Sequence, residues 1–256
     1  MWPRGAGVIE VNMIYAIGDI HGQLDMLETA LSRIEQDGGA DAHVVFLGDY
    51  VDRGPDSRGV VQALIDGLAA GRNWTVLRGN HDRMFCRFVT DGIEHDNRIS
   101  SGKGWLHPAL GGRETLMSYG VDPDAPDASI KARAAVPAEH LAFLASRDLW
   151  FETEALLFVH AGILPGVAME DQTEDDLIWI RPGFLDHPGP FHEKLVVHGH
   201  TALDRPERYA HRIDLDGGAG YGRPLIPAVF DQTGVYLLTK AGREPMDILA
   251  MPSWPN

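Results

Sequence analysis

The sequence predicts an α/β fold, on three observations. Five short apolar runs each stop abruptly at a polar residue, two stretches of helical spacing separate the first three runs, and a 44% apolar composition over 256 residues suffices for one large core. Folds of this class and size commonly form one domain, so residues 13–256 are expected to fold together, with residues 1–12 as a disordered leader.

The runs are MIYAIGD ending at Asp19, HVVFLGD at Asp49, WTVLRGN at Asn80, LLFVH at His160 and LVVHGH at His200. Val, Ile, Leu and aromatic residues in short runs without helical spacing read as strands buried on both faces. Leu24, Leu27, Leu31 and Ile34 recur at helical spacing after the first run, and Val60, Val61, Leu64, Ile65 and Leu68 after the second. The order is therefore β-α-β-α-β. Right-handed crossovers make such strands parallel neighbours whose carboxyl ends converge on one edge, where α/β folds place their ligands. Pattern and handedness alone gather Asp19, Asp49, Asn80, His160 and His200.

The remainder is less regular. Residues 91–135, rich in Gly, Pro, Asp and Ser, read as loops with a short helix around Glu114 to Tyr119. Pro137 fits the first turn of a helix reaching about Arg147. Trp150 to Thr153 with Leu156 to Val159 reads as a hairpin, and Ala228 to Thr239 as further strands.

A formal net charge of −15 repels a phosphate backbone except where bound cations or local arginines reverse the field. Broad nucleic-acid binding is excluded on that ground; a phosphorylated ligand is not. Cys86 is the one cysteine, so no internal disulfide forms and the chain fits a reducing compartment. No run approaches the roughly 18 apolar residues of a membrane span, and the N-terminal stretch lacks a signal-peptide core. The expected setting is the cytoplasm, with no membrane partner. Nothing in the sequence indicates an oligomeric state.

Several strand ends carry chemistry. In GDIHG, Asp19 and His21 stand two apart, which lets a carboxylate and an imidazole turn toward one cation; the plainer reading is a strand-to-helix turn capped by Asp19. GDYVDRG adds Asp49, then Asp52 and Arg53, which read otherwise as an ion pair in a turn. GNHD contributes Asn80 and His81, the former also a common turn residue. HAG at 160–162 and HGH at 198–200 supply His160, His198 and His200.

Together these motifs, in the order GDxHG, GDxVDRG, GNHD, HAG and GHT from Gly18 to Thr201, resemble the phosphoprotein phosphatases of the calcineurin-like metallophosphoesterase superfamily, serine/threonine-type and bacterial or phage-like. The resemblance implies a four-layer β-sandwich flanked by helices, with a metal site at the strand carboxyl ends. It implies two divalent ions, one on Asp19 and His21, one on Asn80, His160 and His200, with Asp49 bridging both. Carboxylate, amide and imidazole ligands without thiolates suit manganese, iron or zinc, and the family points to manganese. A bridging hydroxide then attacks phosphorus directly. The proton for the leaving group falls to His81, oriented by Asp52, and phosphate oxygens fall to Arg53 and, from DLIWIRPGF, Arg181. Arg181 also reads as an exposed arginine beside a core-anchored Trp179.

The implied activity is hydrolysis of phosphoserine and phosphothreonine in proteins, with phosphotyrosine or small phosphoesters as further candidates. The alternative is a symmetrical dinucleoside polyphosphate hydrolase. Such relatives replace the second Asp of GDxVDRG, so Asp52 favours the phosphatase. An inactive phosphopeptide-binding module is a weaker third reading, because every expected ligand is present.

In HGH the family's ligand precedes the threonine, which selects His200 and leaves His198 a supporting role. His43, His95, His107, His140, His187, His192 and His211 stand in no motif and read as structural or solvent-facing. The acidic run Asp171, Glu174, Asp175, Asp176 reads as a solvated face, or else as a selector of positively charged substrate flanks. GKGWLHPALGGRETL lacks the GK[ST] ending of a nucleotide loop and reads as a wall of the substrate cleft, and GGAGYG as a turn before a strand.

Overall fold

The computed structural model describes residues 13–250, so the expected leader at 1–12 lies outside the described residues. Strand β1 (Ile14–Ile17), helix α1 (Leu24–Gly38), strand β2 (His43–Phe46), helix α2 (Ser57–Ala69) and strand β3 (Trp74–Val76) form the expected β-α-β-α-β unit. β1 pairs parallel with β2 from Ile14↔His43 to Ile17↔Phe46, and β2 with β3 from Val44↔Trp74. Helix α3 (Asn80–Asp91) follows β3 directly, and α4 (Gly112–Ser118), α5 (Ala128–Ala135) and α6 (Ala138–Ala145) come next.

The second half supplies β4 (Trp150–Glu152), β5 (Leu156–Val159), α7 (Glu174–Trp179), β6 (Leu195–His198), β7 (Glu207–Arg208), β8 (Arg212–Asp214), β9 (Ala228–Asp231), β10 (Gly234–Thr239) and β11 (Gly242–Pro245). These strands build two sheets, β11-β10-β9-β1-β2-β3 and β4-β5-β6-β8-β7. The five predicted polar strand ends thus do not lie along one sheet. Three belong to the first and two to the second, and the ends meet because the sheets pack face to face.

Alternation along the strands produces the layering, since successive side chains point to opposite faces. In β1, Ile14 and Ala16 join Val45, Phe158, Val197 and Phe230 between the sheets. Tyr15 and Ile17 join Phe46, Leu27, Ile34, Val60 and Leu64 beneath α1 and α2. In β5, Leu157 and Val159 face outward onto Leu177, Ile178 and Phe184. Helices, sheet, sheet and the α7 segment make four layers, as the resemblance implied. Burial of each such side chain stabilises the fold by about 1.5–3 kcal/mol.

The Glu114 helix and the hairpin are present as predicted, the hairpin as antiparallel β4 and β5. The reading of 91–135 as loops with one short helix missed α5, which buries only Ala128 and Ala132, too narrow a stripe to register as periodicity. β7, β8 and β11 also went unpredicted, being short and carrying Arg, Glu and Asp in place of an apolar run. Among the described residues no helix is long and apolar enough to cross a membrane.

Candidate active site

All six predicted ligands are buried and lie together where the strands end. Asp19 leaves β1, Asp49 leaves β2, Asn80 opens α3, His160 leaves β5 and His200 follows β6. Among the described residues seven non-glycine positions have positive φ, and five of them are His21, Asp49, Asp52, Arg53 and His200. Such conformations cost about 1–3 kcal/mol each and persist where surrounding structure dictates them.

The ring orientations are set by backbone. His21 Nδ1 lies 2.8 Å from Val51 O and His160 Nδ1 2.9 Å from Leu47 O, which directs both Nε2 atoms inward. His21 Nε2 is 3.8 Å from Asp19 Oδ2 and 3.7 Å from Asp49 Oδ2; His160 Nε2 is 3.4 Å from Asp49 Oδ1 and 2.9 Å from Asn80 Oδ1. Two sets of side chains, His21 with Asp49 and His81, and Asp49 with His160 and His200, bring one potential ligand atom each to within 4.8 Å of one another.

The donor set fits divalent cations. His200 Nε2 is buried with no hydrogen-bond partner in the described structure. Burial works against protonating His160, yet the charge and hydrogen bond of Asp49, with Asp19 beyond, hold it up at about 9. Burial likewise opposes ionising Asp49, but His160 and His81 bring it well below the usual carboxylate range. An imidazolium proton here neutralises carboxylates that a cation would neutralise more fully.

His81 forms the predicted pair, its Nδ1 2.6 Å from Asp52 Oδ2. Its own backbone N–H donates to Asp49 Oδ1 at 2.9 Å, placing a carboxylate at the start of α3. Burial drives His81 down to about 3, with Asp49 opposing and Arg53, His160 and Arg181 adding to the fall. The Arg53 guanidinium touches His21 Nε2 and lies 3.2 Å from His81 Nε2. Arg181 donates from Nη2 to His200 O at 2.9 Å, so it stands beside the same centre.

Of the two HGH imidazoles, His198 ends β6 fully buried, its Nε2 3.3 Å from Arg212 Nη1, whereas positive φ turns His200 into the site. In the acidic run Asp171 is exposed and the other three are partly so, but those three are paired. Glu174 pairs with Arg78, Asp175 with Arg83 at 2.6 Å, and Asp176 closes a capping box with Thr173. The GKGWLHPALGGRETL stretch, expected as a cleft wall, reaches the centre through two side chains. Trp105 Nε1 donates to Asp52 Oδ2 at 2.8 Å and Thr115 Oγ1 to Asp52 Oδ1 at 2.7 Å. GGAGYG forms a short 3-10 turn against the centre, where a Cβ on Gly220 would stand 2.7 Å from His21 Cδ2 and 3.0 Å from Arg53 Cδ.

Sequence reasoning missed Asp82, Trp105, Thr115, Asp214 and Asp216. Asp82 was in plain view within GNHD; the others carry no motif. Asp214 and Asp216 are buried behind Asp19, Asp216 N–H donating to Asp214 Oδ1 at 3.0 Å.

Two stacked sheets that bring buried carboxylates, imidazoles and an amide together at their strand ends, with two arginines beside them, define a metal-dependent phosphoesterase. The sequence profile of the calcineurin-like phosphoesterase family matches residues 13–217, and the chain belongs to that family. Its relatives divide by substrate. Serine/threonine-protein phosphatase 1 of Salmonella typhimurium is 28% identical over 226 residues, 84% of this chain and 90% of that protein. The symmetrical bis(5'-nucleosyl)-tetraphosphatase of Delftia acidovorans is 32% identical over 152 residues, 59% of this chain, and the match spans only 45% of that relative. The asymmetrical bis(5'-nucleosyl)-tetraphosphatase PrpE of Oceanobacillus iheyensis is 26% identical over 249 residues, 90% of this chain and 92% of that protein.

Proposed function

We propose that this chain is a phosphoprotein phosphatase, hydrolysing phosphoserine and phosphothreonine monoesters, with phosphotyrosine a third substrate to be tested. The observation that carries the reading is the 2.6 Å contact between Asp52 and His81 Nδ1. A monoester of an alcohol expels a poor leaving group that needs a proton, which a positioned imidazole supplies. A dinucleoside polyphosphate expels a nucleotide phosphate, an anion stable without one.

In this reading Asp19, His21 and Asp49 would hold one divalent cation, and Asp49, Asn80, His160 and His200 a second. The cations, manganese by family resemblance, would supply the Lewis acidity that generates the nucleophile and offsets the phosphoryl charge. Arg53 and Arg181 bind phosphoryl oxygens through charge-assisted hydrogen bonds. Burial is the chief cause that holds His81 down and Arg53 adds to it; a phosphate dianion beside Arg53 would offset that added part and so favour protonation of His81. Asp52 holds Nδ1–H, which leaves Nε2 to face the ester oxygen.

The competing reading, a dinucleoside tetraphosphate hydrolase, is favoured by relatives of similar identity. Phosphate release by manganese-reconstituted protein, measured on phosphoserine, phosphothreonine and phosphotyrosine peptides beside diadenosine tetraphosphate, separates the two. Faster peptide hydrolysis is expected. Faster nucleotide cleavage would move the protein to the second class, and peptide binding without turnover would make it an inactive binding module.

A further inference from the structure

Asp52 is fully buried and both its oxygens are engaged. Oδ2 accepts from His81 Nδ1 at 2.6 Å and from the Trp105 indole at 2.8 Å; Oδ1 accepts the Thr115 hydroxyl at 2.7 Å. Trp105 comes from the irregular stretch after α3 and Thr115 from the short helix α4, and both lie outside every motif. Neither is free to drift. The fully buried Trp105 ring packs on Phe85 and Phe88, with centroids 5.8 and 4.7 Å away. Thr115 Oγ1 also accepts Asp52 N–H at 2.8 Å and sits 3.0 Å from Ser57 Oγ.

We propose that Trp105 and Thr115 are positioning residues for proton delivery to the leaving group. The inference rests on the reading of His81 as proton donor. A carboxylate with one imidazole partner can swing about its own axis, whereas an indole N–H and a hydroxyl from two further directions fix its plane. The fixed plane sets the plane of His81 and keeps its proton-bearing Nδ1 on Asp52, so Nε2 stays aimed at the ester oxygen. As the nucleophile bonds to phosphorus, the bond from phosphorus to the ester oxygen breaks and its electron pair stays on that oxygen. The Nε2 proton of His81 goes to it, releasing alcohol and inorganic phosphate, and the proton shed by the attacking water restores the balance.

Leaving-group dependence distinguishes positioning from mere structural support. A seryl oxygen departs poorly without a proton, while p-nitrophenolate leaves unaided, so damage to the proton donor falls on the first substrate. The experiment compares kcat on a phosphoserine peptide and on p-nitrophenyl phosphate for wild type, Trp105→Phe, Thr115→Val, Thr115→Ser and His81→Asn, at matched metal content. Trp105→Phe and Thr115→Val are expected to lose about 10-fold or more on phosphoserine, in the range typical of outer-shell partners, and less than about threefold on p-nitrophenyl phosphate. Thr115→Ser, which keeps the hydroxyl, is expected to behave as wild type. Should Trp105→Phe fail to fold, as thermal unfolding will reveal, the Thr115 pair carries the test alone. Equal losses on both esters, or a Thr115→Ser as impaired as Thr115→Val, would overturn the inference. If His81→Asn itself loses equally on both esters, the His81 assignment falls and this inference with it. If His81→Asn is selective and the others are not, only the inference falls.

Discussion

Asp82 offers a sharp test of how the site is built. It is fully buried, and its carboxylate accepts three backbone N–H groups: Asp49 and Gly79 at Oδ2, Tyr50 at Oδ1, each at 2.9 Å. One side chain thereby joins the turn after β2 to the end of β3. In Asp82→Asn one oxygen can keep the Asp49 and Gly79 bonds, but the amide nitrogen then faces the Tyr50 N–H, donor against donor. A buried orphan donor costs about 1–3 kcal/mol; burial and then the Asp49 charge push Asp82 up to about 7, so removing its charge adds no further loss. The expected loss is therefore about 1–3 kcal/mol against a typical total of about 5–15 kcal/mol, so the variant folds but is weakened. Urea unfolding in chelator reads it as a lower midpoint at unchanged slope, with metal removed because bound cations would mask the difference. Metal titration of the folded variant should show weaker binding, since the loosened turns carry Asp49 and Asn80. A midpoint shift worth less than about 1 kcal/mol would refute the claim that this carboxylate holds the turns together.

Two further outcomes are expected. His81→Asn should lower kcat on phosphoserine by about 10²–10⁴ while keeping its metals, whereas Asp49→Asn should lose metal as well, because Asp49 lies against both His21 and His160; metal analysis showing equal loss in both would undo the separation of roles. His140, buried between Tyr119 OH at 2.8 Å and Gln62 Oε1 at 3.0 Å, has its pKa lowered by burial and then by Arg58. The unfolded chain therefore binds the extra proton first as pH falls below about 6.5, and stability drops with it. His140→Gln should flatten that part of the stability profile in urea titrations at stepped pH; an unchanged slope would contradict the assignment.

The sequence disclosed the strand ends because a run such as HVVFLGD carries its own signal: apolar residues buried on both faces, then a polar residue where burial stops. It disclosed His81 and Asp52 through motif order. Contacts between residues far apart in the chain left no such trace. Trp105 and Asp52 are 53 positions apart, and Arg83 and Asp175 are 92 apart, so neither pairing has a spacing to read. At HGH motif order, and not local periodicity, is what separates the two histidines. Period 2 along a strand predicts one face for both imidazoles, but β6 ends at His198, and the positive φ of His200 breaks the alternation. Asp214 and Asp216 escaped because β8 is three residues long and opens on a buried arginine.

The segment from Leu47 to Arg53 explains why so many separate pieces keep one arrangement. Leu47 O orients the His160 ring from the other sheet, and Val51 O orients His21. Asp49 O accepts the N–H groups of Ile20 and His21 at 3.0 and 2.9 Å, while Asp49 N and Tyr50 N bind Asp82. Asp52 holds His81, and Arg53 reaches the rings of His21 and His81. Each of these groups is buried or half-buried, so breaking any one contact leaves a polar atom without water to replace it. Positive φ at Asp49, Asp52 and Arg53 is what lets seven residues face β1, α3 and β5 in turn. The strain of the turn and the order of the site are thus the same feature. Regular backbone here would lower the first and lose the second.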